Sequence, residues 1–257
     1  MDEGQTGSGD VPPGAGGAPN ERAAAARRLE NWVLREAGHV PAWLRPSQGE
    51  ARWPVLTALA AALAAQLLLP ERLSIGPSWL LPSVEGALIL GLTAANPVRL
   101  SRDSVSIRRT SLLLVAVMSL ANAGSAVLLL HGLIAGDLVG GAPTLLAGGG
   151  EVYLTNIVAF ALWYWELDRG GPMARATVRR SQPDFLFPQM ATPAVASPAW
   201  TPTFPDYLYL SFTNATAFSP TDTMPLSRWA KMLMLIQSAV ALVTAALVVA
   251  RAVNIFK

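Results

Sequence analysis

Long apolar runs recur along this chain, and they restrict its fold more than any other feature. Met232 to Phe256 carries one charged residue, Arg251, and Ser111 to Ile134 carries no Asp, Glu, Lys or Arg. A helix needs about 20 consecutive, mostly apolar residues to cross a bilayer. Three less uniform runs accompany these two: Pro54 to Leu69, Trp79 to Val98, and Val152 to Leu167. Over the 257 residues, 52% are hydrophobic and 14% charged, against about 25% charged in an ordinary globular chain. The expected fold is therefore all-α: a polytopic membrane protein with about five transmembrane helices.

The same composition removes whole classes of chemistry. Cysteine is absent, and the histidines are His39 and His131. Disulfide frameworks, thiolate metal sites, a cysteine nucleophile and a His-rich metal centre are excluded. No constellation of nucleophile, base and oxyanion donors can be assembled, so no enzyme and no cofactor are expected. The run Gly148 to Gly150 lacks the preceding strand and the lysine of a phosphate-binding loop; it reads as part of a flexible loop, Ala135 to Gly150. Arginine far outweighs lysine, which occurs at Lys231 and Lys257 alone. With the abundant Ala, Gly and Pro this suggests a GC-rich bacterial genome.

Residues 1–20 are Gly, Pro and small polar types with nothing to bury, and are expected to be disordered. Over 21–50 a basic amphipathic helix, Glu21 to Val40, with Asn20 as its N-cap, leads into a linker; it suits either solvent or anionic headgroups. No cleavable signal peptide is expected. Four helices should fill 51–169. A Pro-rich connector then occupies 170–204, with an apolar island, Asp184 to Gln189, suited to docking on the membrane surface. The last part is 205–257. Arginines cluster in the N-terminal region, at Arg99 to Arg109 and at Arg169 to Arg180. By the positive-inside rule these are cytoplasmic. The expected location is a bacterial inner membrane, crossed several times, with a cytoplasmic N-terminus and the lipid bilayer as first partner. Nothing points to nucleic acid.

The last part has its own plan. Asp206 to Phe218 is aromatic and too short to cross. Ser219 to Pro225 is polar and proline-broken, and Met232 to Phe256 spans. This is the order of a re-entrant segment before a final helix. Tyr209 to Asp222 reads YLSFTNATAFSPTD and resembles the pore helix and filter of potassium-channel-type proteins, with Tyr209, Ser211, Phe212, Thr216 and Asp222 at matching positions. The segment also resembles a family of uncharacterised bacterial inner-membrane proteins defined by a domain of unknown function. The resemblance covers about the last fifty residues. It implies a channel-like module, assembled as a homo-oligomer if it encloses a pore. The filter glycines are replaced by Ser219 and Thr221, and the filter tyrosine by Pro220. A ladder of carbonyls facing one axis needs the backbone freedom of glycine, so potassium selectivity does not carry over. What remains is a filter-like turn, Thr216, Phe218, Ser219, Pro220, Thr221 and Asp222, suited to a monovalent cation without strong selectivity.

A purely structural reading of the same residues competes with it. Thr221, Asp222 or Thr223 would cap the last helix, with Pro225 in its first turn, and Asp206 would cap the aromatic helix. On the last helix Gln237, Thr244 and Arg251 share one face and are candidate pore-facing residues, beside a small-residue strip of Ser238, Ala241 and Ala245. Glu85 is the carboxylate well inside a span, a functional candidate by position, with Asn122, Asn156 and His131 as possible partners. Glu166 and Asp168 read as interface residues pairing with Arg169. Three functions follow: a channel-like cation path, a non-conducting scaffold that keeps the channel-like fold, or a proton-coupled transporter using Glu85.

Overall fold

In the computed structural model, residues 40–67, 77–95, 105–135, 141–216 and 222–255 are described. The chain divides into two units, Met1–Pro41 and Ala42–Lys257, and every element below belongs to the second. The expected N-terminal tail, nearly all of the amphipathic helix, and Phe218, Ser219, Pro220 and Thr221 of the filter-like turn lie outside the described residues.

The described chain is mostly helical. Helices α1 (Trp53–Leu67), α2 (Leu80–Ala95), α3 (Val105–Ala135) and α4 (Gly141–Leu167) come first. Two short helices, α5 (Pro172–Ala176) and α6 (Pro188–Ala191), lie in the connector, and α7 (Phe204–Thr216) and α8 (Arg228–Ile255) end the chain. Two residues of β1 (Phe185–Leu186) pair antiparallel with two of β2 (Met224–Pro225). Among the described residues, two helices are long and apolar enough to cross a membrane: 28 residues of α3, Val105–Gly132, and 23 of α8, Arg228–Ala250. Helices α1 and α2 are apolar but shorter.

Local chemistry explains the elements. Alanine, the best helix former, fills α1, and Pro54 and Pro82 fall in the first turns of α1 and α2, where a missing N–H costs nothing. Inside the apolar helices hydroxyls return to their own backbone: Thr93 Oγ1 donates to Ile89 O at 2.6 Å and Ser119 Oγ to Val115 O at 2.7 Å. That removes a polar group from an apolar surrounding.

Helix α4 is the hub. It packs against α1, α3, α7 and α8. Its inner residues Val158, Ala161, Leu162 and Tyr164 meet Leu114, Val115 and Met118 of α3, Leu59 and Ala62 of α1, and Tyr207 and Leu210 of α7 in one core. Helix α8 runs antiparallel to α4. Gly149 approaches Val248 near one end of the pair, and Tyr164 bonds Gln237 near the other. Large apolar side chains also face outward, among them Leu90 on α2, Leu120, Val127 and Ile134 on α3, and Leu242 and Val249 on α8.

Three expectations are corrected. The segment Gly141 to Gly150 is not a loop; it is the first third of α4. A Cβ on Gly149 would lie 2.6 Å from Val248 Cγ2, so this glycine is a contact surface that lets α8 approach. The island Asp184 to Gln189 does not lie on an outer surface. Phe185 and Phe187 are buried, Phe185 edge-on to Tyr164 at 5.0 Å and Phe187 edge-on to Tyr207 at 5.3 Å. The caps also differ. Asp206 stands inside the first turn of α7 and reaches back to the Thr203 N–H at 2.8 Å, the return half of a capping box. Pro225 is in β2, and α8 is capped by Ser227, whose Oγ accepts the Ala230 N–H at 3.4 Å.

Candidate functional site

Polar side chains sunk into an apolar bundle are expensive and therefore informative. Among the described residues, most of them fall into three groups.

The first lies among α1 to α4. Glu85 of α2 is 1% exposed, and its Oε1 accepts Gln66 Nε2 of α1 at 3.4 Å. Beside them a small cavity is lined by Gln66, Leu81, Pro82, Ala121, Asn122, Ser125 and Glu151. Glu151 is buried on α4, its Oε1 accepting Thr155 Oγ1 at 3.1 Å, and its charge repels Glu85. Two acceptor atoms of the lining have no hydrogen-bond partner: Asn122 Oδ1 and Glu151 Oε2. Gln66 is therefore the residue that bonds Glu85, and Asn122 adjoins through the cavity. His131 is exposed on α3, and Asn156 is buried with its amide unpartnered.

The second group joins α4, α7 and α8. Gln237 is 0% exposed. Its Oε1 accepts Tyr164 Oη at 2.5 Å and Asn214 Nδ2 at 2.8 Å, while its Nε2 donates to Ser211 O at 2.9 Å and Ser211 Oγ at 2.6 Å. Ser211 Oγ in turn donates to Ile157 O at 2.6 Å. Every polar atom of Gln237 is satisfied within the chain. Thr244 is buried further along the same stripe with its hydroxyl unpartnered, and the side chain of Arg251 is outside the description. Thr216 and Asp222, the described members of the filter-like turn, are exposed.

The third group closes the far end of α4. Glu50 accepts Arg175 Nη2 at 2.8 Å through one oxygen, and Trp165 Nε1 at 2.8 Å and the Phe204 N–H at 3.2 Å through the other. Arg175 lies over the Tyr207 ring at 4.9 Å. Tyr207 donates its hydroxyl to Asp168 Oδ2 at 2.6 Å, and the Asp184 N–H donates to Asp168 Oδ1 at 2.8 Å. Arg169, in the left-handed region at φ 52°, turns away from Asp168 to give its protons to Arg180 O and Trp43 O. The expected pairing of Glu166 and Asp168 with Arg169 is thus replaced. Tyr207 and the Asp184 N–H hold Asp168, and Ser111 Oγ donates to Glu166 Oε1. Burial pushes the Asp168 carboxyl up from the usual range, against the pull of Arg175 and Tyr207. At Arg175 burial works against the charge, and Tyr207, Glu50 and Asp168 outweigh it, so the guanidinium holds its proton more firmly than usual.

Glu50, Glu151, Gln66, Arg175 and Tyr207 carry these groups, and none stood out in the sequence. Glu151 was hidden beside three glycines that read as a loop; once α4 begins at Gly141, Glu151 and Thr155 share its inner face. The first and third groups lie at different depths. Ser111 is level with Glu166 in the third group. Asn122 and Glu151 are roughly 16–23 Å from that level along their helices, at about 1.5 Å per residue.

Compared with protein-family models, curated proteins and solved structures, the chain matches none.

Proposed function

We propose that the chain is an integral membrane protein that takes up a small cation, proton or metal, at the buried cavity among α1 to α4, and so couples or conducts its movement. The observation that carries this reading is two buried carboxylates, Glu85 and Glu151, the second lining a cavity with unpartnered acceptors and no basic side chain. An unpaired carboxylate in an apolar interior is costly, and a chain of this composition gains nothing in folding from two of them. The apolar outward faces of α3 and α8 support the membrane setting. The arginine clusters support an inner membrane with the N-terminus and the third polar group on the cytoplasmic side. Taking that group as one headgroup level puts the cavity well inside a hydrocarbon core of about 30 Å.

In this reading α7 and α8 are a fixed frame, because Gln237 spends all its hydrogen bonds inside the chain. The scaffold reading draws on the same observation. The channel-like reading keeps the filter-like turn as the ion path in an oligomer. Reconstitution into liposomes separates them. Proton or monovalent-cation flux that Glu85→Gln and Glu151→Gln each abolish, at unchanged expression and gel-filtration profile, is the expected result. Flux that survives both variants but is lost in Asp222→Asn moves the path to the filter-like turn. No flux under any gradient leaves a scaffold.

A further inference from the structure

Both atoms left without a partner in the α1–α4 cavity, Asn122 Oδ1 and Glu151 Oε2, are acceptors. What is missing there is therefore positive or donates protons. Asn122 is 6% exposed and Glu151 7%, so bulk water does not supply it. The cavity has a volume of about 10 Å³, at the lower edge of the ~10–15 Å³ a single water needs. One small particle fits, without a hydration shell.

Three occupants meet that size. A water has donors but no charge, and leaves Glu151 and Glu85 uncompensated. A proton on Glu151 neutralises the carboxylate and leaves the gap unfilled. A bare monovalent cation fills the gap, neutralises one of the two carboxylates and takes several oxygens at once. The oxygens within its reach are of the kinds hard cations prefer, namely carboxylate, amide carbonyl and hydroxyl. A divalent ion fits the lining less well. Calcium takes about six to eight oxygen ligands and magnesium keeps several waters. Here one oxygen of each carboxylate is already engaged, Glu85 with Gln66 and Glu151 with Thr155. Among the described residues no group of three or more His, Cys, Asp or Glu side chains could hold a metal ion, so the amide and hydroxyl oxygens must complete the set.

We infer that the cavity is a binding site for one sodium-sized monovalent cation, held by Glu151, Asn122 and Ser125, with Glu85, bonded to Gln66, behind them as further negative charge. This rests on the reading of the cavity as the working site and names its occupant.

The test uses the full chain purified in detergent at constant pH and ionic strength, with sodium chloride, potassium chloride or choline chloride as probe salts. Thermal unfolding and equilibrium binding of radioactive sodium are measured. Sodium should raise Tm above the choline value and bind once per chain. Asn122→Ala and the milder Ser125→Ala should each weaken that binding at least about tenfold, with gel-filtration profiles unchanged. Equal Tm in sodium and choline, with no sodium retained, overturns the assignment. If pH alone then shifts Tm, and Glu151→Gln removes the shift, the occupant is a proton and the proposed function stands without the metal. If neither sodium, potassium nor pH acts through Glu151, both the occupant and the proposed function fall. A potassium effect in place of sodium overturns the stated ion.

Discussion

Gly149 of α4 and Val248 of α8 are in such close contact that a single methyl cannot be placed between them. A Cβ on Gly149 would lie 2.6 Å from Val248 Cγ2, 2.9 Å from Cγ1 and 3.3 Å from Cβ. Rotating the valine exchanges one methyl for the other and does not clear the space. Gly149→Ala is expected to push α8 away, at the ~1–3 kcal/mol typical of overpacking. Gly150→Ala, with nothing within 4 Å, should leave Tm in detergent unchanged or raised. Val248→Ala in the Gly149→Ala background should recover most of the loss.

Gln237 offers a second measurement. Replacing it by Leu keeps the volume but takes from the buried Tyr164 hydroxyl the acceptor it donates to, and from Asn214 Nδ2 one acceptor, Met234 O remaining to it. Leaving buried groups unpaired costs about 1–3 kcal/mol each. Unfolding of Gln237→Leu should therefore begin well below wild type, while cation flux per folded molecule stays the same. A changed ion selectivity would return Gln237 to a pore wall.

Removing one member of the Glu50–Arg175 pair leaves the other buried, with side chains 12% and 5% exposed. Such a loss costs about 3–5 kcal/mol for fully buried pairs, and somewhat less here because Glu50 touches solvent. Glu50→Leu should be the worse single change, because it leaves the Trp165 indole and the Phe204 N–H as well as Arg175 Nη2 without their acceptor. After Arg175→Met, Asp168 O keeps the Gly171 N–H and Trp165 O alone loses its donor. Limited proteolysis within 177–203 is the sensitive readout, because the segment should loosen before the bundle does.

The pH dependence follows from Asp168. Its folded pKa is raised by burial above the ordinary 3.8, so the native state binds the proton more tightly than the unfolded chain. The stability this contributes is full below the unfolded value and is lost as pH rises through the folded one. Asp168→Asn has no such proton. The stability gap between wild type and Asp168→Asn should narrow as pH rises from acid towards neutral. A gap that widens would mean that Arg175 and Tyr207, not burial, govern this carboxyl.

Much of the helical plan was legible because apolar runs announce themselves: α3 and α8 end within a residue of the expected Ile134 and Phe256, but begin at Val105 and Arg228, before the expected Ser111 and Met232. The glycines of α4 misled because glycine marks a loop in water and a close approach between apolar helices, and only packing distinguishes these. Phe185 and Phe187 carried the right signal, burial, without saying against what. The site was less legible still. Glu85 is conspicuous in its run, but Gln66 and Glu151 come near it only when α1, α3 and α4 have assembled, with α2 packed on α1 and α3. Glu50 and Arg175 meet across a long stretch of chain, and no local pattern in either region anticipates the other.

Asp184 sits where the connector meets the last helix. Its N–H holds Asp168, its Oδ2 takes the Arg169 N–H, its carbonyl takes the Leu226 N–H, and its Oδ1 takes the Trp229 indole. Both feet of the segment carrying α7 are thereby fastened at one point, and Ser211 fastens its middle to α4. A beam clamped at its ends and its centre has no soft mode along its length. Helix α2 packs chiefly on α1 and α3, and among the described residues no such set of bonds ties it to the hub. If the molecule works by moving, α4, α7 and α8 are its stator, and the moving wall is the one that carries Glu85.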